Sequence, residues 1–232
     1  RKPTLRFKGF TDPWEQRKAG EVASMVFRAI AVEDDREYQL ITVRRRNEGV
    51  VPRVKLMGSA ILVKNYQVLE AGDFVISKRQ LVHGGNGCVP NDLAGSIVSN
   101  EYLVIVDSPE VSAKFWALLS KTKSMYRSYF LSSFGVDIEK LVFDVDDWSA
   151  RCLFLPSAAE QRSLCALFQR LDSLITLHQR KVDKLKTVKQ SLLDRMFPKE
   201  GESVPELRFA GFTDPWEQRK VGDFLTESRE LG

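Results

Sequence analysis

Short runs of β-branched and aromatic residues, separated by turn residues, predict a β-rich region over residues 21–107. Each run is three to five residues long, as expected for strands of a small sheet. The predicted strands are residues 39–43, 60–63, 74–76 and 102–106. The turn signals between them lie at residues 47–49, 71–73 and 84–87, the last being the sequence Gly-Gly-Asn-Gly.

Beyond residue 107 the apolar residues recur every three or four positions, which predicts helices. The first helix is expected over about residues 109–132. Ser108 supplies a capping hydroxyl, and Pro109 suits the first helical position. Phe115, Trp116 and Leu119 would then form its buried face.

A second, longer helix is expected from Ser157 to Phe197. Ser157 and Glu160 fit the S-x-x-E capping box, and Pro198 follows the last apolar residue. Steps of three and four residues connect ten positions between these ends, which is the pattern of a coiled-coil seam. These positions are Leu164, Phe168, Leu171, Ile175, His178, Val182, Leu185, Lys189, Leu192 and Met196.

Two interpretations of this helix are open. It could lie as an amphipathic helix on the protein's own sheet. However, a helix of this length spans roughly 55 Å at about 1.5 Å per residue, whereas a domain of this size is about 30 to 40 Å across. The length favours the second interpretation, in which part of the seam packs against a partner helix.

Composition restricts the class of protein. The chain has 232 residues, of which 43% are hydrophobic, so it can bury a core and is not disordered. It contains neither a long apolar run nor a secretory signal pattern, which leads us to expect a soluble, cytoplasmic protein with no membrane contact. The three cysteines lack metal-binding spacing, so we expect no disulfide framework and no metal site.

The net charge of +4 is unevenly distributed. The positive surplus lies in residues 1–20 and 159–199, whereas residues 21–158 are almost neutral. If this central block binds nucleic acid, it must use local clusters of basic residues and not a broad basic field.

No constellation of catalytic residues is present, so we expect no enzyme activity and no cofactor. The glycine-rich residues 84–87 lack the Lys-Ser/Thr of a phosphate-binding loop, and a turn is favoured over a ligand cradle. Asp144, Asp146 and Asp147 resemble a solvated loop and not a metal site. His83 could carry a proton, although a loop histidine more often only hydrogen-bonds.

Three clusters contain the residue types that bind nucleic acid. Arginine can recognise guanine, asparagine and glutamine can recognise adenine, and lysine neutralises phosphate. A cluster of this kind is also common on an ordinary solvated surface, so each is weak evidence alone. The candidate DNA-binding residues are Arg44, Arg45, Arg46 and Asn47 in the first cluster; Lys78, Arg79, Gln80, His83 and Asn86 in the second; and Lys121, Lys123 and Arg127 in the third.

A long-range repeat is the most specific signal in the sequence. The sequence of residues 3–22 is repeated at residues 205–224. Fifteen of the twenty positions are identical, and they include the unbroken segment GFTDPWEQRK. A period of 202 residues is too long for a solenoid and indicates duplication of a whole domain with its connector.

The repeat, together with the long helix, resembles the specificity subunits of type I restriction-modification systems. The Pro-x-x-x-Glu-Gln motif of that family matches residues 156–161. The helix pattern of the family is matched by Leu171-Asp172, Leu174-Ile175, Arg180-Lys181, Leu185-Lys186, Lys189, Leu192-Leu193 and Phe197. The resemblance covers essentially the whole chain. Because the chain carries one complete copy of a unit that the family normally has twice, it looks like a half-subunit or truncated form.

This resemblance implies an α/β (α+β) fold: a globular target-recognition domain with a mixed β-sheet, followed by a long coiled-coil spacer helix. The domain would span residues 1–155, the spacer 156–199 and the start of a second, truncated repeat 200–232. The implied function is non-catalytic recognition of one half of a bipartite site in double-stranded DNA. The implied partners are a methyltransferase subunit, which binds S-adenosylmethionine, an ATP-dependent restriction subunit, and a second copy of the chain in an antiparallel homodimer.

A rival interpretation is a coiled-coil protein-interaction scaffold that does not bind DNA. The near-neutral charge of residues 21–158 is its main support.

Overall fold

The computed structural model describes residues 3–223. Its strands are β1 (Glu15–Lys18), β2 (Ser24–Val26), β3 (Ala29–Ile30), β4 (Glu37–Val43), β5 (Val50–Met57), β6 (Tyr66–Val68), β7 (Phe74–Ser77), β8 (Asn86–Cys88), β9 (Ile97–Ser99), β10 (Tyr102–Val106), β11 (Ser133–Phe134), β12 (Val142–Phe143) and β13 (Cys152–Leu155). Its α-helices are α1 (Ala19–Val22), α2 (Ala113–Leu119), α3 (Lys123–Leu131), α4 (Val145–Ala150) and α5 (Ala158–Met196). The chain divides into two compact units, and the boundary lies within α5. The first unit ends at Gln169 and the second begins at Arg170.

Two sheets form the centre of the first unit. One has five strands in the order β3-β6-β9-β4-β5, and the other has four in the order β2-β10-β7-β8. Their strands pair antiparallel, except that β4 and β9 run parallel. Mixed sheets followed by a long helix confirm the predicted α+β fold.

Alternation along β7 shows how the layers are arranged. Side chains of a strand point alternately to its two faces. Phe74 and Ile76 belong to a core cluster that they share with Trp116 of α2 and Trp148 of α4. Val75, between them, belongs to a second cluster that contains residues of β4, β5 and β9. The four-stranded sheet is therefore covered by the five-stranded sheet on one face and by helices on the other.

The strands predicted at residues 39–43, 74–76 and 102–106 are present, but the one predicted at residues 60–63 is wrong. Residues Gly58–Ala60 form a single 3₁₀ turn. Only Ile61 of the apolar run that follows is buried, whereas Leu62 is 94% exposed. Residues 60–63 are therefore apolar, but they pair with no strand among the residues that the structure describes.

The prediction missed β5 because its sequence is charged and contains Pro52. This strand lies at the edge of the five-stranded sheet, where a missing backbone N–H is tolerated. The register of its pairing with β4 shifts between Leu40 and Ile41, next to the proline's partner.

The helix expected over residues 109–132 is instead two helices, α2 and α3. The N-cap of α2 is Ser112, whose hydroxyl accepts from the Phe115 N–H at 3.2 Å. Ser108, the predicted cap, accepts from the Val111 N–H at 3.0 Å in the preceding turn. Thr122 separates the two helices because its hydroxyl donates to the Leu119 carbonyl and accepts from the Met125 N–H.

Helix α5 has the predicted extent. The Ser157 hydroxyl accepts from the Glu160 N–H at 3.4 Å, which is half of the predicted capping box. Within the first unit, Leu164 packs on the core that contains Trp116. Further along the predicted seam the apolar side chains of Leu171, Ile175, Val182, Leu185 and Leu192 are 40 to 66% exposed.

None of the helices in residues 3–223 combines the length and apolar character needed to cross a bilayer. The same residues contain no group of three or more His, Cys, Asp or Glu side chains placed to hold a metal ion. The last nine positions of the repeat region, 224–232, lie outside the described residues.

Candidate nucleic-acid interface

Members of all three candidate clusters meet at one open cavity of about 540 Å³ in the first unit. The cavity lies between the turn that joins β4 to β5, the loop between β7 and β8, and the connection between α2 and α3. Seven of the twelve predicted DNA-binding residues line it: Arg45, Arg46, Asn47, His83, Asn86, Lys121 and Lys123. The other five, which are Arg44, Lys78, Arg79, Gln80 and Arg127, lie outside its lining.

The turn between β4 and β5 forms one wall. The Glu48 N–H donates to the Arg45 carbonyl at 3.3 Å, which closes a four-residue turn. The two central residues, Arg46 and Asn47, have φ angles of 62° and 56°. Positive φ at both central positions matches the right-handed twist of a hairpin, as in a type I′ turn.

The loop between β7 and β8 holds this turn in place. The Arg46 N–H donates to the His83 carbonyl at 2.7 Å, and the Asn47 N–H donates to the Gly84 carbonyl at 2.8 Å. Gly84 has a φ of 77°, and a Cβ there would lie 2.9 Å from the Asn47 nitrogen. Glycine at this position therefore permits both the left-handed backbone and the close approach of the two loops.

Asn86, which begins β8, connects the same two loops through its side chain. It is only 2% exposed, and its Nδ2 donates to Asn47 Oδ1 at 2.9 Å. This hydrogen bond fixes the orientation of both asparagine side chains. The side chains of the turn and of β8 meet although they are 39 residues apart in sequence.

Carboxylates engage several of the predicted cationic residues. Arg45 donates through Nε to Gln80 Oε1 at 2.8 Å and through Nη2 to Glu139 Oε2 at 2.7 Å. Glu139 also lies 3.5 Å from His83 Nε2. The sequence does not predict Glu139 at this site, because nothing in it indicates that Glu139 approaches Arg45 across 94 positions.

Outside the cavity, two further predicted residues have partners within the protein. Arg79 pairs with Glu101 at 2.6 Å, and the Lys78 ammonium donates to the Asn100 carbonyl.

The connection between α2 and α3 forms the opposite wall. It brings Lys121 and Lys123 to the cavity on either side of the Thr122 cap. Below them the hydroxyls of Ser120 and Tyr129 share a buried hydrogen bond of 2.7 Å, and burial raises the pKa of Tyr129. This side of the cavity therefore has a rigid, uncharged base beneath two lysines.

The first copy of the repeat and the Pro-x-x-x-Glu-Gln motif meet at the start of α5. Arg6 binds both carboxylate oxygens of Glu160, at 2.9 and 2.5 Å. These hydrogen bonds lower the pKa of Glu160, and burial opposes them. Gln161 donates to the carbonyls of Glu110 and Pro156 at 2.8 and 3.0 Å. In addition β1, which belongs to the repeat, pairs with β13 directly before the helix.

The second copy of the repeat adopts the same local turn as the first. Arg6 Nη1 donates to the Asp12 carbonyl at 2.6 Å, and Arg208 Nη1 donates to the Asp214 carbonyl at 2.6 Å. The equivalent glycines of the two copies also share a left-handed backbone conformation, with φ of 99° at Gly9 and 92° at Gly211. The duplicated sequence thus specifies a duplicated local structure.

Comparison with known proteins gives matches at the level of structure. No protein-family model matches the chain, and no curated protein matches it. The structure is similar to the HsdS subunit from Thermoanaerobacter tengcongensis, with a TM-score of 0.58 and 18% identity over 84% of this chain and 52% of that one. A second match, with the same values, comes from a structure described as the basis of complex assembly and conformational transition of the type I R-M system.

The chain therefore has the fold of the specificity subunits of type I restriction-modification systems. The resemblance inferred from the repeat and the helix motif is confirmed in this respect. The chain spans about half the length of the two solved structures that it matches.

Proposed function

We propose that the chain is a DNA-recognition component of a type I restriction-modification system. Residues 1–155 read one half of a bipartite site in double-stranded DNA, and residues 156–199 act as the spacer that sets the distance to the other half. The fold shared with HsdS subunits supports this assignment.

The observation that carries the proposal is the convergence of the basic clusters on one cavity. Arg45, Arg46, Lys121 and Lys123 come from two separate parts of the chain and line the same opening. Cationic side chains gathered at one opening are placed to neutralise the phosphates of a nucleic-acid backbone. Local clusters of this kind also suit a domain whose total charge is close to zero.

In this function the chain has no catalytic residues of its own. It acts as the frame on which a methyltransferase subunit, carrying S-adenosylmethionine, and an ATP-dependent restriction subunit dock in the cytoplasm. The similarity to a structure concerned with assembly of a type I system supports such partners.

A second copy of the chain is the proposed partner of the helix seam. Leu171, Ile175 and Leu185 are 42, 66 and 59% exposed, and leaving such a row of side chains in water is unfavourable. An antiparallel pair of helices would cover the row. His178, near the middle of the seam, would then lie close to the two-fold axis.

A salt titration of DNA binding tests the proposal. The full chain, together with its methyltransferase subunit, is titrated with duplex DNA from low to physiological salt. The logarithm of the affinity should fall linearly with the logarithm of salt, by about 0.9 for each phosphate contact. Replacing Lys121 and Lys123 together by alanine should reduce this slope by the value of about two contacts.

Replacing Lys55 and Lys64 by alanine is the matched control, since it removes two charges outside the cavity. Its slope should equal that of the wild type. Binding that is independent of salt and unaffected by the lysine pair at the cavity would contradict the proposal.

A protein-interaction scaffold remains the second candidate because of one further surface feature. Residues 126–142 expose seven large apolar side chains, which is typical of a protein-docking surface. They are Tyr126, Phe130, Leu131, Phe134, Val136, Ile138 and Val142. Stable association with the partner subunits in the absence of any DNA affinity would favour this function.

A further inference from the structure

Arg46 differs from the other basic residues of the cavity in its backbone. Arg46 and Asn47 are the two non-glycine residues with positive φ in the part of the chain that the structure describes. Asparagine adopts this conformation readily, but arginine does so at a cost in free energy. Costly backbone conformations of this kind are concentrated at functional sites.

The surrounding structure fixes the position from which the Arg46 side chain starts. Its N–H is bound by the His83 carbonyl, and its neighbour Asn47 is bound through both backbone and side chain. These contacts come from a loop whose close approach depends on Gly84. The side chain therefore leaves a rigid backbone and reaches the cavity, where it is exposed.

The guanidinium of Arg46 also differs from that of Arg45, the second arginine in the lining of the cavity. Arg45 is bound by Gln80 and Glu139, and Arg79 is bound by Glu101. Within residues 3–223, Arg46 has no hydrogen bond or ion pair from its side chain. Its planar set of donors is thus available to a ligand.

We infer that Arg46 is a specificity-determining residue of this cavity and reads a guanine through the O6 and N7 atoms on the major-groove edge. Two acceptors side by side match the forked donors of one guanidinium. Lys121 and Lys123 supply phosphate contacts at the same cavity, whereas a guanidinium that starts from a fixed backbone suits the directional contact with a base edge. This assignment rests on the proposed function.

The test is a selection from a random duplex DNA library by the full chain with its methyltransferase subunit. The wild type should enrich a motif that contains a guanine. Arg46→Lys keeps the charge but loses the fork, so total affinity should stay within about twofold while preference at that guanine falls about tenfold. Arg53→Lys, at an exposed arginine of β5 outside the cavity, is the matched control and should leave the motif unchanged.

Arg46→Gly separates base reading from support of the turn, because glycine adopts positive φ without cost. It should lose preference at the same single position as Arg46→Lys. An unchanged motif in Arg46→Lys, or loss at several positions in both variants, would overturn the assignment of Arg46. A wild type that enriches no sequence at all would instead contradict the proposed function itself.

Discussion

Arg6 and Glu160 show how one pair of residues joins distant parts of the sequence. They are 154 positions apart, yet both carboxylate oxygens of Glu160 receive hydrogen bonds from the Arg6 guanidinium. Glu160 is only 1% exposed, so its charge depends on this partner. The pair ties the repeat to the start of α5.

The pH dependence of stability should reveal this pair. Because Arg6 lowers the pKa of folded Glu160 below its ordinary value of 4.5, the contribution is present above that value and is lost as pH falls through the folded pKa. Arg6→Gln should therefore lower the midpoint of urea unfolding at pH 7, and the difference from the wild type should shrink in acid.

Arg17→Gln is the matched control for this experiment. Arg17 pairs with Glu110 at 3.2 Å, where the two side chains are 34 and 47% exposed, far more than Glu160. Such pairs contribute little to stability. A midpoint for Arg6→Gln equal to that of Arg17→Gln at pH 7 would show that Glu160 does not depend on Arg6.

At this scale the sequence identified the types of residue but not their partners. The repeat and the Glu-Gln motif are both recognisable in the sequence, whereas the contact between them is a product of tertiary folding. In the same way the sequence predicts a basic cluster at Arg45, but it does not predict that Glu139 contacts this cluster. Long-range ion pairs leave no trace in local composition.

Elements were predicted well where the local pattern is strong. Helix α5 has seam spacing, a capping serine and a proline stop, and its extent is as expected. The prediction failed at Thr122, where one polar side chain ends a helix and begins the next. The failure matters for the site, because this break brings Lys121 and Lys123 to the cavity.

The exposed seam of α5 yields a prediction about assembly. Replacing both Leu171 and Leu185 by glutamate would bury charge in a helix pair, so the double variant should be monomeric. Sedimentation at tens of micromolar should show a dimer for the wild type. A wild-type monomer under these conditions would contradict the homodimer.

Thr187→Glu serves as the control for the seam variants. Thr187 lies on the face of α5 away from Leu185, and its hydroxyl donates a hydrogen bond to the Asp183 carbonyl of the same helix. This variant should remain dimeric. If the double leucine variant dimerised equally well, the interface would lie elsewhere on the chain.

For the whole molecule, duplication and pairing have a consequence for the DNA site. A protein with two different recognition domains reads two unrelated half-sites. A homodimer of this chain would carry the same domain twice, related by a two-fold axis. Identical readers related by such an axis recognise the same half-site in inverted orientation, as dimeric repressors do.

The site is therefore expected to be an interrupted palindrome with a spacer of fixed length. One additional base pair moves a half-site by about 3.4 Å and rotates it by about 35°, a change that packed helices cannot follow. The measurement is a map of modified adenines in cells that express the chain with its methyltransferase subunit. The Leu171→Glu, Leu185→Glu variant is the matched control and should lose the palindromic modification. An asymmetric bipartite motif, or equal modification after the spacer is changed by one base pair, would show that two copies do not act as a symmetric pair.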